Sequence, residues 1–144
     1  MKSTQLKTSA YWLTTGLVAL DFTVGGAFQL ARPPEVMTAM AHLGYPGYFV
    51  AMLGVWKILG GVALIVPGAP RLKEWAYAGI FFDVTSAVVS ILAVGDGLSH
   101  AILPLVFLAL TVASWGLRPE SRSLTTVAPR TSPRSLQPAA DVAA

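Results

Sequence analysis

Three ionisable residues, Asp21, Lys57 and Asp83, stand inside stretches that are otherwise apolar. Leu17-Val18-Ala19-Leu20 precedes the first, Gly54-Val55-Trp56 the second and Ile80-Phe81-Phe82 the third. Two carboxyls and one amine can form a buried ion cluster, pass protons, or hold the polar end of a ligand in a dry setting. Two acids to one base leave either a net negative charge or one carboxyl protonated.

The elements that must position these groups are hydrophobic helices. Apolar residues make up 54% of the 144-residue chain and charged residues 12%, about half the charged share of a soluble domain. Four apolar segments, at about 10–30, 48–66, 75–94 and 98–117, each have the length that crosses roughly 30 Å of hydrocarbon. Pro67-Gly68, Gly95-Asp96-Gly97 and Arg118-Pro119 punctuate them. The expected fold is all-α: an antiparallel transmembrane four-helix bundle over 1–118, followed by a disordered polar tail over 119–144 that is rich in Ser, Thr, Pro, Arg and Ala. A short amphipathic piece is expected at 35–43, and 67–74 reads as a tight basic loop.

At about 1.5 Å per helical residue, the three charges lie some 12 to 16 Å from the same end of their spans, so the bundle brings them to a common depth. Each costs about 2.5–3.5 kcal/mol there, against about 0.3–0.6 kcal/mol returned by a leucine. They should therefore face inward and pair, with Lys57 between the carboxylates. Helical spacing supplies small and hydroxyl-bearing companions: Thr14, Gly25 and Phe28 with Asp21, Gly54 and Gly61 with Lys57, and Gly79, Ser86 and Ser90 with Asp83. Two readings stay open, an ion cluster that only fixes helix register and a proton-relay or polar-ligand site.

Basic residues set the orientation. Lys2, Lys7, Arg71, Lys73, Arg118, Arg122, Arg130 and Arg134 fall on one side and Arg32 on the other, so both termini should be cytoplasmic in a multi-pass protein of the cell inner membrane. The first span is expected to be retained, because Asp21 interrupts its apolar region and three more spans follow. The net charge of +3 forms no basic face, so the expected surroundings are the lipid bilayer and no nucleic acid. There is no cysteine, and His42 and His100 lack ligand spacing, so no metal site is expected. Nucleotide-loop, nucleophile-elbow and zinc-protease motifs are absent.

The chain resembles the DoxX-like family of small four-helix integral membrane proteins. Tyr11-Trp12, Gly25-Gly26, Leu43-Gly44-Tyr45-Pro46, Leu53-Gly54 with Lys57, and above all Pro70-Arg71-Leu72-Lys73-Glu74-Trp75-Ala76-Tyr77-Ala78-Gly79 with Phe82-Asp83 carry the likeness. Gly95-Asp96 and Ser114-Trp115 with Leu117-Arg118-Pro119 complete it. Relatives often have Gly at the place of Ser86 and Ser-His at Ser90-Ile91, so no histidine chemistry is expected on the third span. The resemblance implies the four-span fold and a role beside membrane redox or stress-response proteins; the family takes its name from a subunit of a quinone-linked thiosulfate-oxidising system.

The expected function is thus a non-catalytic component or partner of a membrane redox or stress-response assembly, with no catalytic activity of its own. The alternatives are a quinone-linked oxidoreductase membrane subunit and a small proton-coupled transporter that uses Asp21, Lys57 and Asp83. A transporter of four spans would need a homo-oligomer or a narrow path. No cofactor is required by the residues, and quinone is the one that the resemblance admits. The orientation is directly testable: cysteines placed at Ser3 and Ser123 should escape an impermeant thiol reagent in intact cells, and one at Thr38 should label. Labelling at both termini would reverse the topology.

Overall fold

The computed structural model describes residues 2–119 and 122, and the expected tail otherwise lies outside them. Among the described residues five helices follow one another: α1 (Lys2–Ala31), α2 (Pro34–His42), α3 (Gly47–Ile65), α4 (Pro70–Ala93) and α5 (Leu98–Gly116). Four are long and apolar enough to span a membrane, Gln5–Ala31, Gly47–Ile65, Pro70–Ala93 and Leu98–Gly116. Neighbours pack in a ring, α1 on α3, α3 on α4, α4 on α5 and α5 back on α1, with α2 lying at the end where α1 meets α3. Contacts run in opposite senses along each sequential pair, as Lys73 beside Leu64 and Asp83 beside Lys57 illustrate, so the bundle is antiparallel.

Two boundaries depart from the sequence reading. α1 extends back to Lys2, and α4 begins at Pro70, within the segment read as a basic loop. Proline suits a first helical turn, where its missing N–H has no intrahelical partner to lose. The turn before it closes through Gly68 and Ala69, both at positive φ (72° and 48°). The early start places Lys73 inside the protein, fully buried, where the sequence reading had it in a loop. Its ammonium donates to Ala63 O at 2.9 Å, to Leu64 O at 3.1 Å and to Val66 O. Those carbonyls end α3 and have no intrahelical donor, and a cation there also meets the negative end of the helix dipole.

The same end carries a buried hydroxyl chain. Thr15 and Tyr77 both bond Ser114 Oγ, at 2.6 and 2.7 Å, tying α1 and α4 to α5. At its rim Arg118 pairs with Glu74 (2.8 Å), whose other oxygen accepts from the Trp115 indole. The far end is closed by His42, which pairs with Asp96 at 2.8 Å, and by a Tyr45–Ser90 hydroxyl contact at 2.5 Å. These fasten α2 to the α4–α5 end of the bundle.

α1 and α3 approach most closely through glycine. A methyl group built on Gly26 would stand 2.6 Å from Gly54 O, and one on Gly54 2.8 Å from Gly26 O. Gly61 likewise abuts Ala19 O (2.8 Å), whereas Gly25 has open space. Gly54→Ala should therefore lower stability by about 1–3 kcal/mol, as overpacking does. Gly25→Ala should be neutral or stabilise by up to about 1 kcal/mol through helix propensity. Denaturant titration in a fixed detergent checks the contrast; equal stability of the two variants would contradict the close approach.

Candidate functional site

The face that α1 turns inward passes through Tyr11, Thr15, Val18, Phe22, Gly26 and Gln29, all buried. It lies one residue beyond the stripe of Thr14, Asp21, Gly25 and Phe28 expected from sequence. The offset follows from backbone contact, because Gly26 is the glycine that meets Gly54. Asp21 is consequently only half-buried, on the flank of the interface.

Lys57 emerges from α3 between Gly54 and Gly61, the two glycines pressed against α1. Its ammonium lies 5.2 Å from the centre of the Phe22 ring and 3.4 Å from Asp83 Oδ2 on α4. The side chains are 21% and 14% exposed, so the pair is largely withdrawn from its surroundings. Asp21 makes no ion pair within 4.0 Å among the described residues and acts on Lys57 and Asp83 only at longer range. The direct unit is therefore a Lys57–Asp83 pair with a carboxyl nearby.

This pair opens onto a cleft of about 490 Å³ between α3 and α4, within the range of small-molecule sites. Phe22, Phe49, Trp56, Trp75 and Phe82 give it an aromatic lining, and Met40, Leu43 and Tyr45 close it toward α2. Trp56, Trp75 and Phe82 are well exposed, so the cleft meets the lipid-facing side of the bundle. Gly79 and Ser86 line it beside Asp83, and a methyl group on Gly79 would have nothing within 4 Å. The other companions expected from sequence are occupied elsewhere. Gly54 faces α1, Thr14 Oγ1 donates to Ala10 O in its own helix (2.9 Å), and Ser90 joins Tyr45.

The sequence reading missed Gln29. It lines the cleft at 4% exposure, and its Oε1 has no hydrogen-bond partner among the described residues. The signal was available in principle: Gln29 stands one helical turn beyond Gly26, and the glycine that touches α3 fixes which face is inside. No group of three His, Asp or Glu side chains close enough to hold a metal occurs among the described residues. His42 is paired with Asp96, and the ring of His100 contacts the Asp96 carbonyl oxygen at 2.8 Å.

A family model described as the DoxX-like family matches residues 13–114, well over half of the chain, and the chain belongs to that family. No curated protein and no solved structure matches it.

The ion pair predicts an asymmetric mutational pattern. Lys57→Met strands the Asp83 carboxylate and should cost up to about 3 kcal/mol, the low end for broken buried pairs because both groups keep an edge on the cleft. Adding Asp83→Asn should recover most of that loss, whereas adding Asp21→Asn should recover little, since Asp21 does not touch the ammonium. A double-mutant cycle on thermal unfolding measures both couplings. Equal rescue by the two asparagines would contradict the pairing seen here.

Proposed function

We propose that this member of the DoxX-like family is a non-catalytic component of a membrane redox or stress-response assembly, and that its α3–α4 cleft holds a lipid-soluble, polar-headed molecule of the quinone class. The observation that carries the reading is a charged pair, Lys57–Asp83, set in the wall of an aromatic cleft that faces lipid. Ionisable groups at membrane depth are costly and are retained where they serve a ligand, a proton or a partner. An apolar pocket with few polar groups is the usual design of a small-molecule site.

The donor set suits a ring carbonyl. Lys57 has three N–H donors, of which one is directed to Asp83 and another can lie toward the Phe22 face. A remaining donor can bond an oxygen of the occupant, while the aromatic walls cover its ring. When bound, a quinone would supply two-electron and proton chemistry. In this reading the chain's residues bind and orient; Lys57 and Asp83, which line the cleft, can hold protons beside the head group, and electrons would come from a partner protein. The proposed setting is the cytoplasmic membrane with both termini inside. Lys7, Arg71, Arg118 and Arg122 gather at the terminal end of the bundle and Arg32 stands at the other, which supports that orientation.

Gly79→Leu tests the cleft without touching the ion pair, because the methyl position at Gly79 is open. The full chain purified from its native membrane should carry a quinone and a co-purifying redox or stress-response protein, both identified by mass spectrometry. Gly79→Leu should fold with the parent's thermal midpoint and lose at least about tenfold of the bound quinone, a loss of about 1.4 kcal/mol in affinity. Equal small-molecule content in the two preparations would remove the cleft from the function.

A further inference from the structure

We propose that α2 and the turn after it form a hinged lid over one end of the α3–α4 cleft, latched by Tyr45–Ser90 and His42–Asp96, and that its release admits water to the Lys57–Asp83 pair. The movement needs no occupant, so the inference goes beyond the ligand reading; only its bearing on a bound molecule rests on that reading. Four observations lead to it.

First, Tyr45 bars the mouth. Its ring stacks on Phe49 of α3, with centroids 5.0 Å apart and planes at 15°. Its hydroxyl meets Ser90 Oγ of α4 at 2.5 Å. Ser90 Oγ already donates to Ser86 O (2.8 Å), so the Tyr45 hydroxyl is the donor and Ser90 accepts. One side chain thus crosses from α3 to α4, and with Met40 and Leu43 it closes the cleft at the end away from the termini.

Second, α2 is held at few points. Each of its nine residues is partly or well exposed, so swinging it aside takes nothing out of the core. It packs only lightly on α1 and α3. Its own link to the α4–α5 turn is His42 Nε2 on Asp96 Oδ1 at 2.8 Å, with the imidazole more than half exposed.

Third, the chain turns at positive φ on both sides of α2, at Arg32 (53°) and Gly44 (83°). An arginine rarely adopts that conformation. Element-terminal positions of this kind absorb the rotation when a segment swings.

Fourth, the other sides of the cleft leave this end as the route for water. The lateral side already meets lipid at Trp56, Trp75 and Phe82, so an apolar occupant enters there without the lid. The opposite end is shut by Lys73 on the α3 carbonyls and by Ala63, Ala76 and Ile80. What an open α2 adds is contact between water and the charged wall, the path by which protons would reach a bound head group.

The chain has no cysteine, so a single introduced thiol reports one place. The full-length chain carrying Ala87→Cys, which lines the cleft one turn before Ser90, is reacted in lipid nanodiscs with a charged methanethiosulfonate. Both faces are reachable there, so membrane orientation does not enter. The thiol should react slowly in the parent. Adding Tyr45→Phe and His42→Ala, which keeps the stacked ring and removes both latches, should speed it at least about tenfold, the worth of two modest hydrogen bonds. Tyr45→Phe alone should give an intermediate rate. A thiol at exposed Thr38 should react equally with and without the latches, and one at buried Val18 should stay protected in both. The inference is overturned if the Ala87→Cys rate is the same with and without the latches, or if the Val18→Cys thiol accelerates alongside it, which marks loosening of the whole bundle. Failure of the latch-free variant to assemble overturns it as well, because a lid that buries nothing cannot hold the bundle together. None of these outcomes bears on whether the cleft binds a ligand, which the quinone content of the purified chain decides separately.

Discussion

The backbone contact between α1 and α3 governs the rest of the bundle. Gly26 and Gly54 bring carbonyl and Cα together so closely that neither position has room for a methyl group, and Gly61 continues the contact toward Ala19 and Thr23. Lipid offers helices no hydrophobic drive to associate, so such close packing is the main attraction available. It also dictates where Lys57 goes. Lying between two glycines pressed on α1, its side chain passes over Phe22 and reaches α4, where Asp83 receives it. The ion pair follows from the helix crossing.

The α3–α4 junction is built in a different way. α3 packs on α4 much less extensively than on α1. At the terminal end the two are joined by Lys73, which caps the last carbonyls of α3, and by the core residues Ala63, Leu64, Ala76 and Ile80. Toward the other end they part around the cleft, and α2 covers the opening with Met40, Leu43 and Tyr45. A tight pair beside a looser pair makes a cavity without any special loop. The lining glycines, Gly60 and Gly79, keep its floor open.

Much of the fold was legible because a bilayer leaves few alternatives: a run of about twenty apolar residues must be a helix. The span count and the approximate ends came from that constraint, and the short α2 from the amphipathic pattern at 35–43. The offset on α1 was not legible, since Gly25-Gly26 offers two adjacent faces and only the partner helix chooses between them. That single choice moved Asp21 to the flank and brought Gln29 inside. Lys73 was misread for a related reason. Counting charges assigns every lysine in a connection to water, yet a helix end is itself an acceptor surface, and Pro70 starts α4 early enough for Lys73 to reach it. The Lys57–Asp83 contact needed only depth and helix order, which sequence supplies; the cleft beside it needed the packing.

The polar groups inside the bundle divide according to where their partners lie. Those of the terminal half form closed sets, Thr15–Ser114–Tyr77 and Lys73 with the carbonyls of α3, and their role is to hold helices together. Arg118 Nη1 also has no partner among the described residues, and its guanidinium stacks over Tyr77 and Trp115. The cleft groups are different in kind: Lys57 and Gln29 both line it, Lys57 with donors beyond its pair with Asp83 and Gln29 with a buried Oε1 that has no partner among the described residues. In water such open valences would be filled by solvent and would signify little. In a bilayer no water relieves them, so the same packing that holds the fold together also leaves these groups on the wall of an apolar cleft.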